Sequence, residues 1–163
     1  MTEDLPRRLL APLPLFPLQP VLAAVIHRIA RRRPELFARI GPHKGKTFLI
    51  DPVNMPFVLE LRPDPGRLLL RARRRHRAGR HDARIAATFL TLLAMIDGRL
   101  DGDALFFTRD LRIEGNTEAV VCLRNALDDL EGSVADDVAA MFGPPGRLAL
   151  AALRRIGRAS HER

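Results

Sequence analysis

His76 and His81 stand five residues apart in a stretch that also packs six arginines between Arg71 and His81, and Asp82 is the only carboxylate beside them. A protein-bound metal needs three or four His, Cys or carboxylate ligands at set spacing, so this pair lacks the company of a metal site. The single cysteine, Cys122, cannot form an internal disulfide and has no recognisable base to turn it into a nucleophile. At the flank of an apolar helix face it reads as a small hydrophobe. No GxGxxG, GxxxxGK[ST], HExxH, CxxC or GxSxG pattern occurs, so nothing cradles a phosphate, holds a catalytic metal or activates a serine. Asp128, Asp129 and Glu131 cluster at a helix end on its solvent side, which suits a surface or partner contact better than acid–base work. The reading is therefore no enzyme, no metal and no cofactor.

What remains is charge and apolar surface. Lys and Arg number 27 against 19 Asp and Glu, a net +8, which attracts polyanions such as nucleic acid or an anionic membrane. All but Lys44 and Lys46 of those cations are arginine, a bias that gene base composition also produces. The arginines of Arg71–His81 fit a solvated hairpin end, or a patch that contacts the phosphates of lipid headgroups or nucleic acid. Arg147, Arg154, Arg155 and Arg158 project from one side of a helix over Arg147–Arg158, with Leu148, Ala149, Ala152, Leu153 and Ile156 opposite. Such a helix suits an anionic membrane surface, docking on the domain or a partner, or a loose tail. The absence of Trp and Tyr leaves few platforms for base stacking and argues against nucleic acid.

The elements that must position these groups follow from hydrophobic period. With 163 residues, 47% of them hydrophobic, the chain can bury one core. Leu9–Ile26 is apolar but interrupted by Pro12, Pro14, Pro17 and Pro20, too broken to span a membrane or form a secretory signal. It reads as an extended arm. From Pro20, the spacing of Val21, Leu22, Val25, Ile26 and Ile29 predicts a helix to Arg33, its apolar side on a core or in a membrane interface. Pro34 opens a second helix through Ile40, and Gly41–Gly45 is a loop. Thr47–Ile50, Phe57–Arg62 and Arg67–Arg74, separated by DPVNMP and Asp64–Pro65–Gly66, predict an antiparallel meander. Ala83–Ala87 is a fourth strand, and Thr88 caps a helix over Phe89, Leu92, Leu93 and Ile96 that ends at Gly98. Leu111–Arg112–Ile113–Glu114 alternates as a fifth strand; Asn116 then caps a helix carrying Ala119, Val120, Leu123, Ala126, Leu127 and Leu130. Gly132 and Ser133 start a short segment that Gly143–Pro144–Pro145–Gly146 breaks.

Asp103–Glu131 carries a resemblance. It resembles the signature of the sterol-carrier-protein-type (SCP-2-like) lipid-binding domains, in which a short "aFm" or "lFF" helix leads to a "kLkIeGd" strand and a "lamkl" helix. Here these are Leu105–Phe107, Asp110–Asn116 and Glu118–Leu130. FFTRDLRIEGNTE followed by LDDLE is similar to a bacterial branch of that family, the UbiT accessory factors of oxygen-independent ubiquinone biosynthesis, and Phe89–Leu100 resembles the family's "dflaLakGkl" segment. The resemblance implies an α+β fold: a mostly antiparallel sheet of about five strands, covered by helices that enclose an apolar pocket. It divides the chain into an arm and helix (1–35), the lipid-binding domain (36–132) and a basic extension (133–163). It places Phe89, Leu92, Leu93, Ile96, Leu105, Phe106, Ile113, Val120, Leu123 and Leu127 around a lipid. It also implies a cytoplasmic, non-catalytic factor, with or without peripheral attachment to the inner membrane. Its ligand would be ubiquinone, a polyprenylated intermediate or a phospholipid, and its partners the hydroxylases and other proteins of the pathway. A filled core would use the same residue types, so a basic nucleic-acid module and a ligand-free adaptor stay open.

Overall fold

Alternating apolar residues build the sheet, and capped amphipathic segments build the helices laid on it. The computed structural model describes residues 14–97, 110–129 and 133–161, and among these are five strands and six α-helices. α1 (Leu18–Arg32) and α2 (Pro34–Ile40) precede β1 (Phe48–Pro52), β2 (Phe57–Arg62) and β3 (Leu69–Arg74). β4 (Ala83–Ala87) and α3 (Phe89–Ile96) follow, then β5 (Arg112–Gly115), α4 (Thr117–Asp128), α5 (Val134–Met141) and α6 (Gly143–His161).

The sheet order is β3-β2-β1-β4-β5. β1, β2 and β3 form the antiparallel meander, with Ile50 opposite Leu59 and Leu59 opposite Ala72. β4 returns on the far side of β1 and runs parallel to it, and β5 pairs antiparallel with β4. Because side chains alternate, this register puts Ile50, Leu59, Ala72, Ile85 and Ile113 on one face. The helices pack there, around a core that includes Ile26, Phe37, Phe48, Leu92 and Val120. The opposite face carries charge, and its arginines reach across strands to Asp51 and Glu60.

The caps fall where the sequence predicts. Thr88 Oγ1 accepts from the Thr91 N–H at 3.3 Å, and Asn116 Oδ1 accepts from the Ala119 N–H at 2.9 Å. Between β5 and α4, Gly115 has φ +83°, and a Cβ there would collide with the Asp82 carbonyl. Only glycine lets this strand turn so tightly against its neighbour.

Two expectations need correction. α1 spans Leu18–Arg32, so the helix expected from Pro20 is present but begins two residues earlier, and the extended arm expected over Leu9–Ile26 gives way to helix from Leu18. Pro20 lies in the first turn, where a missing N–H breaks no helical bond. α1 turns Val25, Ile26 and Ile29 into the core and leaves Val21 exposed. α6 likewise starts at Gly143, so GPPG opens the helix instead of breaking the chain ahead of Arg147. Pro144 and Pro145 occupy its first turn, where proline is tolerated. A Cβ on Gly146 would strike the Ala139 carbonyl and Phe142, so this glycine lets α6 lie close against α5.

Candidate binding cavity

Between the inner face of the sheet and the helices lies a cavity of about 560 Å³. Its floor is Ile50, Phe57, Leu59, Leu61, Leu70 and Ile85 from four strands, and each of the six described α-helices contributes to its walls. Each described wall residue is apolar or glycine. Protein interiors normally pack without voids much larger than a water molecule, so a space of this size is a candidate ligand site. Of the described wall residues only Ile96, Phe142 and Ala149 are also exposed. They place the mouth where the end of α3 meets the corner between α5 and α6.

Six residues expected around a lipid reach this wall: Phe89, Leu92, Leu93 and Ile96 on α3, and Leu123 and Leu127 on α4. Val120 is 2% exposed and is packed in the core without reaching the cavity, and Ile113 packs against that core from the sheet. Leu105 and Phe106 lie outside the described residues. Sequence reasoning missed the walls supplied by α1 (Val25, Ile26, Ile29), α2 (Leu36, Phe37, Ile40) and α6 (Ala149, Leu150, Leu153). Their helical spacing was visible, but spacing shows that a face is buried and not whether it meets a side chain or a space.

A polar cluster beside the mouth holds α6 in place. Asp97, at the C-cap of α3, has a side chain 1% exposed. It accepts from Arg154 Nε at 2.7 Å, from Arg154 Nη2 at 2.6 Å and from Ser133 Oγ at 2.5 Å. Arg154 Nη1 also pairs with Asp136 at 2.8 Å. The hydrogen bond to Asp97, and then that to Asp136, hold the Arg154 guanidinium above its usual pKa range. The four arginines expected on one side of the last helix are thus divided. Arg147, Arg155 and Arg158 are exposed, while Arg154 shares the inward stripe of Leu150 and Gly157 and is not available to an external anion.

The arginine-rich hairpin is divided too. Arg71 and Arg73 bind Glu60, and Arg75 binds Asp51 and the carbonyls of Pro52 and Met55. Half of the six arginines are thereby spent on the protein's own carboxylates. No group of three His, Cys, Asp or Glu that could hold a metal occurs among the described residues, and no helix among them is long and apolar enough to cross a membrane.

Comparison with solved structures returns the same architecture. A "UbiJ-SCP2 Ubiquinone synthesis protein" is 19% identical, with 72% of this chain and 90% of that one covered and a TM-score of 0.50. Sterol Carrier Protein 2 from Yarrowia Lipolytica (apo form) is 12% identical over 72% and 94% of the two chains, with a TM-score of 0.46. The sterol carrier protein domain 2 of Helicoverpa armigera is 14% identical over 68% and 88%, with a TM-score of 0.45. At such identity the likeness is one of fold. No curated protein matches the chain significantly. The profile of the SCP-2 sterol transfer family matches residues 26–128, from the middle of α1 to the end of α4. That span is more than half of the sequence and forms most of the cavity, and by it the chain belongs to the SCP-2 sterol transfer family.

Proposed function

We propose that this protein is a non-catalytic carrier that holds ubiquinone or its polyprenylated precursors by the isoprenoid tail and presents the head group to modifying enzymes during oxygen-independent ubiquinone biosynthesis. The observation that carries this reading is a cavity whose described wall residues are all apolar or glycine, with Ile96, Phe142 and Ala149 exposed among them. Each buried methylene of a tail gains about 0.8 kcal/mol, so such a cavity competes with a bilayer for a polyprenyl chain. A quinone or phenol head group buried there would lose its hydrogen bonds at a cost of roughly 2–7 kcal/mol, so it stays at the mouth beside Ile96 and Phe142. There a partner hydroxylase can reach it. General acid–base chemistry needs polar groups held around the substrate, and the described wall offers none. The likeness to the UbiJ-SCP2 ubiquinone synthesis protein and the FFTRDLRIEGNTE stretch favour a quinone over other lipids, while a phospholipid's acyl chains would fit the same wall.

The test is mass spectrometry of lipid extracted from the purified chain. A stoichiometric isoprenoid quinone or precursor is expected, and Leu123→Trp, which fills the cavity from α4, should lose most of it while remaining folded. A soluble short-chain precursor incubated with the same preparation should return unaltered. Phospholipid alone would reduce the proposal to a general lipid carrier. Equal lipid in the folded Leu123→Trp variant, or none in either protein, would overturn it.

A further inference from the structure

α6 has a second surface that the cavity does not use. Its inner side turns Leu150 and Leu153 to the cavity wall. On its outer side Leu148, Ala152 and Ile156 recur at every fourth position and so stack as one stripe. Leu148 is 72% exposed and Ile156 is 55% exposed. Ala149, at the mouth, lies three residues before Ala152 and seven before Ile156, so helical spacing carries this stripe directly into the mouth, where Phe142 is 49% exposed. Along the other border of the stripe Arg147, Arg155 and Arg158 are exposed, and no acidic residue occurs from Phe142 to Ser160.

Two demands therefore meet on one helix face. Self-association through Leu148 and Ile156 would bring the arginine borders of two copies together, and like charges repel. A nucleic acid would answer the arginines and leave the apolar stripe in water. A surface with negative charge above hydrocarbon answers both. We infer that the outer face of α6 is the docking surface for an anionic lipid bilayer, laid so that the mouth at Phe142 and Ala149 faces the membrane. A tail then passes between bilayer and cavity without crossing water; this purpose rests on the carrier reading, whereas the docking itself does not.

The test is flotation of the full chain with vesicles of phosphatidylcholine alone and with phosphatidylglycerol admixed. Partitioning is expected on the anionic vesicles only, weakening as salt rises. It should weaken about fivefold for each of Arg155→Ala and Arg158→Ala, and about a hundredfold for the double variant Leu148→Ser/Ile156→Ser. Lipid extracted from these outer-face variants should equal that of the parent protein. Loss of flotation with cavity lipid retained supports docking whatever the cavity carries, whereas a parent protein that floats on anionic vesicles but yields no cavity lipid strikes the carrier reading and leaves docking standing. Undiminished flotation of Leu148→Ser/Ile156→Ser, or no flotation on anionic vesicles, overturns the inference. So does a dimer in light scattering that Ile156→Ser returns to monomer, which would assign the stripe to self-association.

Discussion

Asp51 lies in the middle strand with 1% of its surface exposed, facing away from the cavity, and its two oxygens each meet a guanidinium nitrogen at 2.5 Å, from Arg75 and Arg84. Burial pushes this carboxyl's pKa up, but the two guanidiniums outweigh burial and leave it below the usual carboxylate range. Glu60 is lowered in the same way, by Arg71 and Arg73 against burial. A carboxylate whose folded pKa is depressed adds stability that is fully present above its unfolded value near 3.9, and loses it as pH falls through the folded value. Asp51→Asn should therefore cost about 2 kcal/mol near neutral pH, since the two arginines remain partly solvated. Below about pH 4 the gap between variant and parent should narrow. Urea midpoints measured across that range check it, and a gap that stays constant with pH would separate the loss from ionisation. The sequence showed the arginine crowd but not its use, because Asp51 lies 24 residues before Arg75 and 33 before Arg84.

Among the elements, α1 and α6 make contacts that their sequence-based description does not contain. α1 reaches the edge of the sheet: Gln19 Nε2 donates to the Ala72 carbonyl at 2.7 Å, and Gln19 Oε1 accepts from the Ala72 N–H at 3.2 Å. One side-chain amide thus pairs with β3 as a neighbouring strand would, and blunts an edge that could otherwise recruit another chain. Nothing in the apolar stripe of α1 announces this contact. α6 was legible as an amphipathic helix, and its exposed arginines were legible as basic. Arg154 was grouped with them because it lies close to Arg147 and Arg158 around the helix, while the partner that draws it inward, Asp97, is 57 residues away. Arg154→Ala leaves the buried Asp97 with Ser133 but without its bidentate partner, and should cost about 3 kcal/mol. The loss should be local. Amide exchange should speed up through residues 143–161 while β1 and β4 keep their protection, and uniform loss of protection would show that α6 is no separate cooperative unit.

For the whole molecule, the strand alternation of Phe57–Arg62, the caps at Thr88 and Asn116 and the Gly115 turn made the α+β plan readable. The cavity was not readable in that way, since Leu92 on its wall and Val120 in the core beside it follow the same helical spacing. Only three-dimensional closure by α1, α2, α5 and α6 separates them. That closure makes cargo and fold one thermodynamic system. An unfilled apolar space deprives its lining of contacts, and any ligand that enters the folded chain but not the unfolded one adds stability by mass action. At a hundredfold excess over its dissociation constant the gain is about 2.7 kcal/mol, or roughly 8 °C in Tm for a chain of this size. Delipidated protein should melt lower than protein purified with its lipid, and adding back the extracted lipid should restore the difference; coincident melting curves would show that the cavity contributes nothing to stability. In a cell the same linkage turns supply into abundance. On the carrier reading, chains without lipid unfold more often and meet proteases first, so the amount of this protein should follow the supply of that lipid.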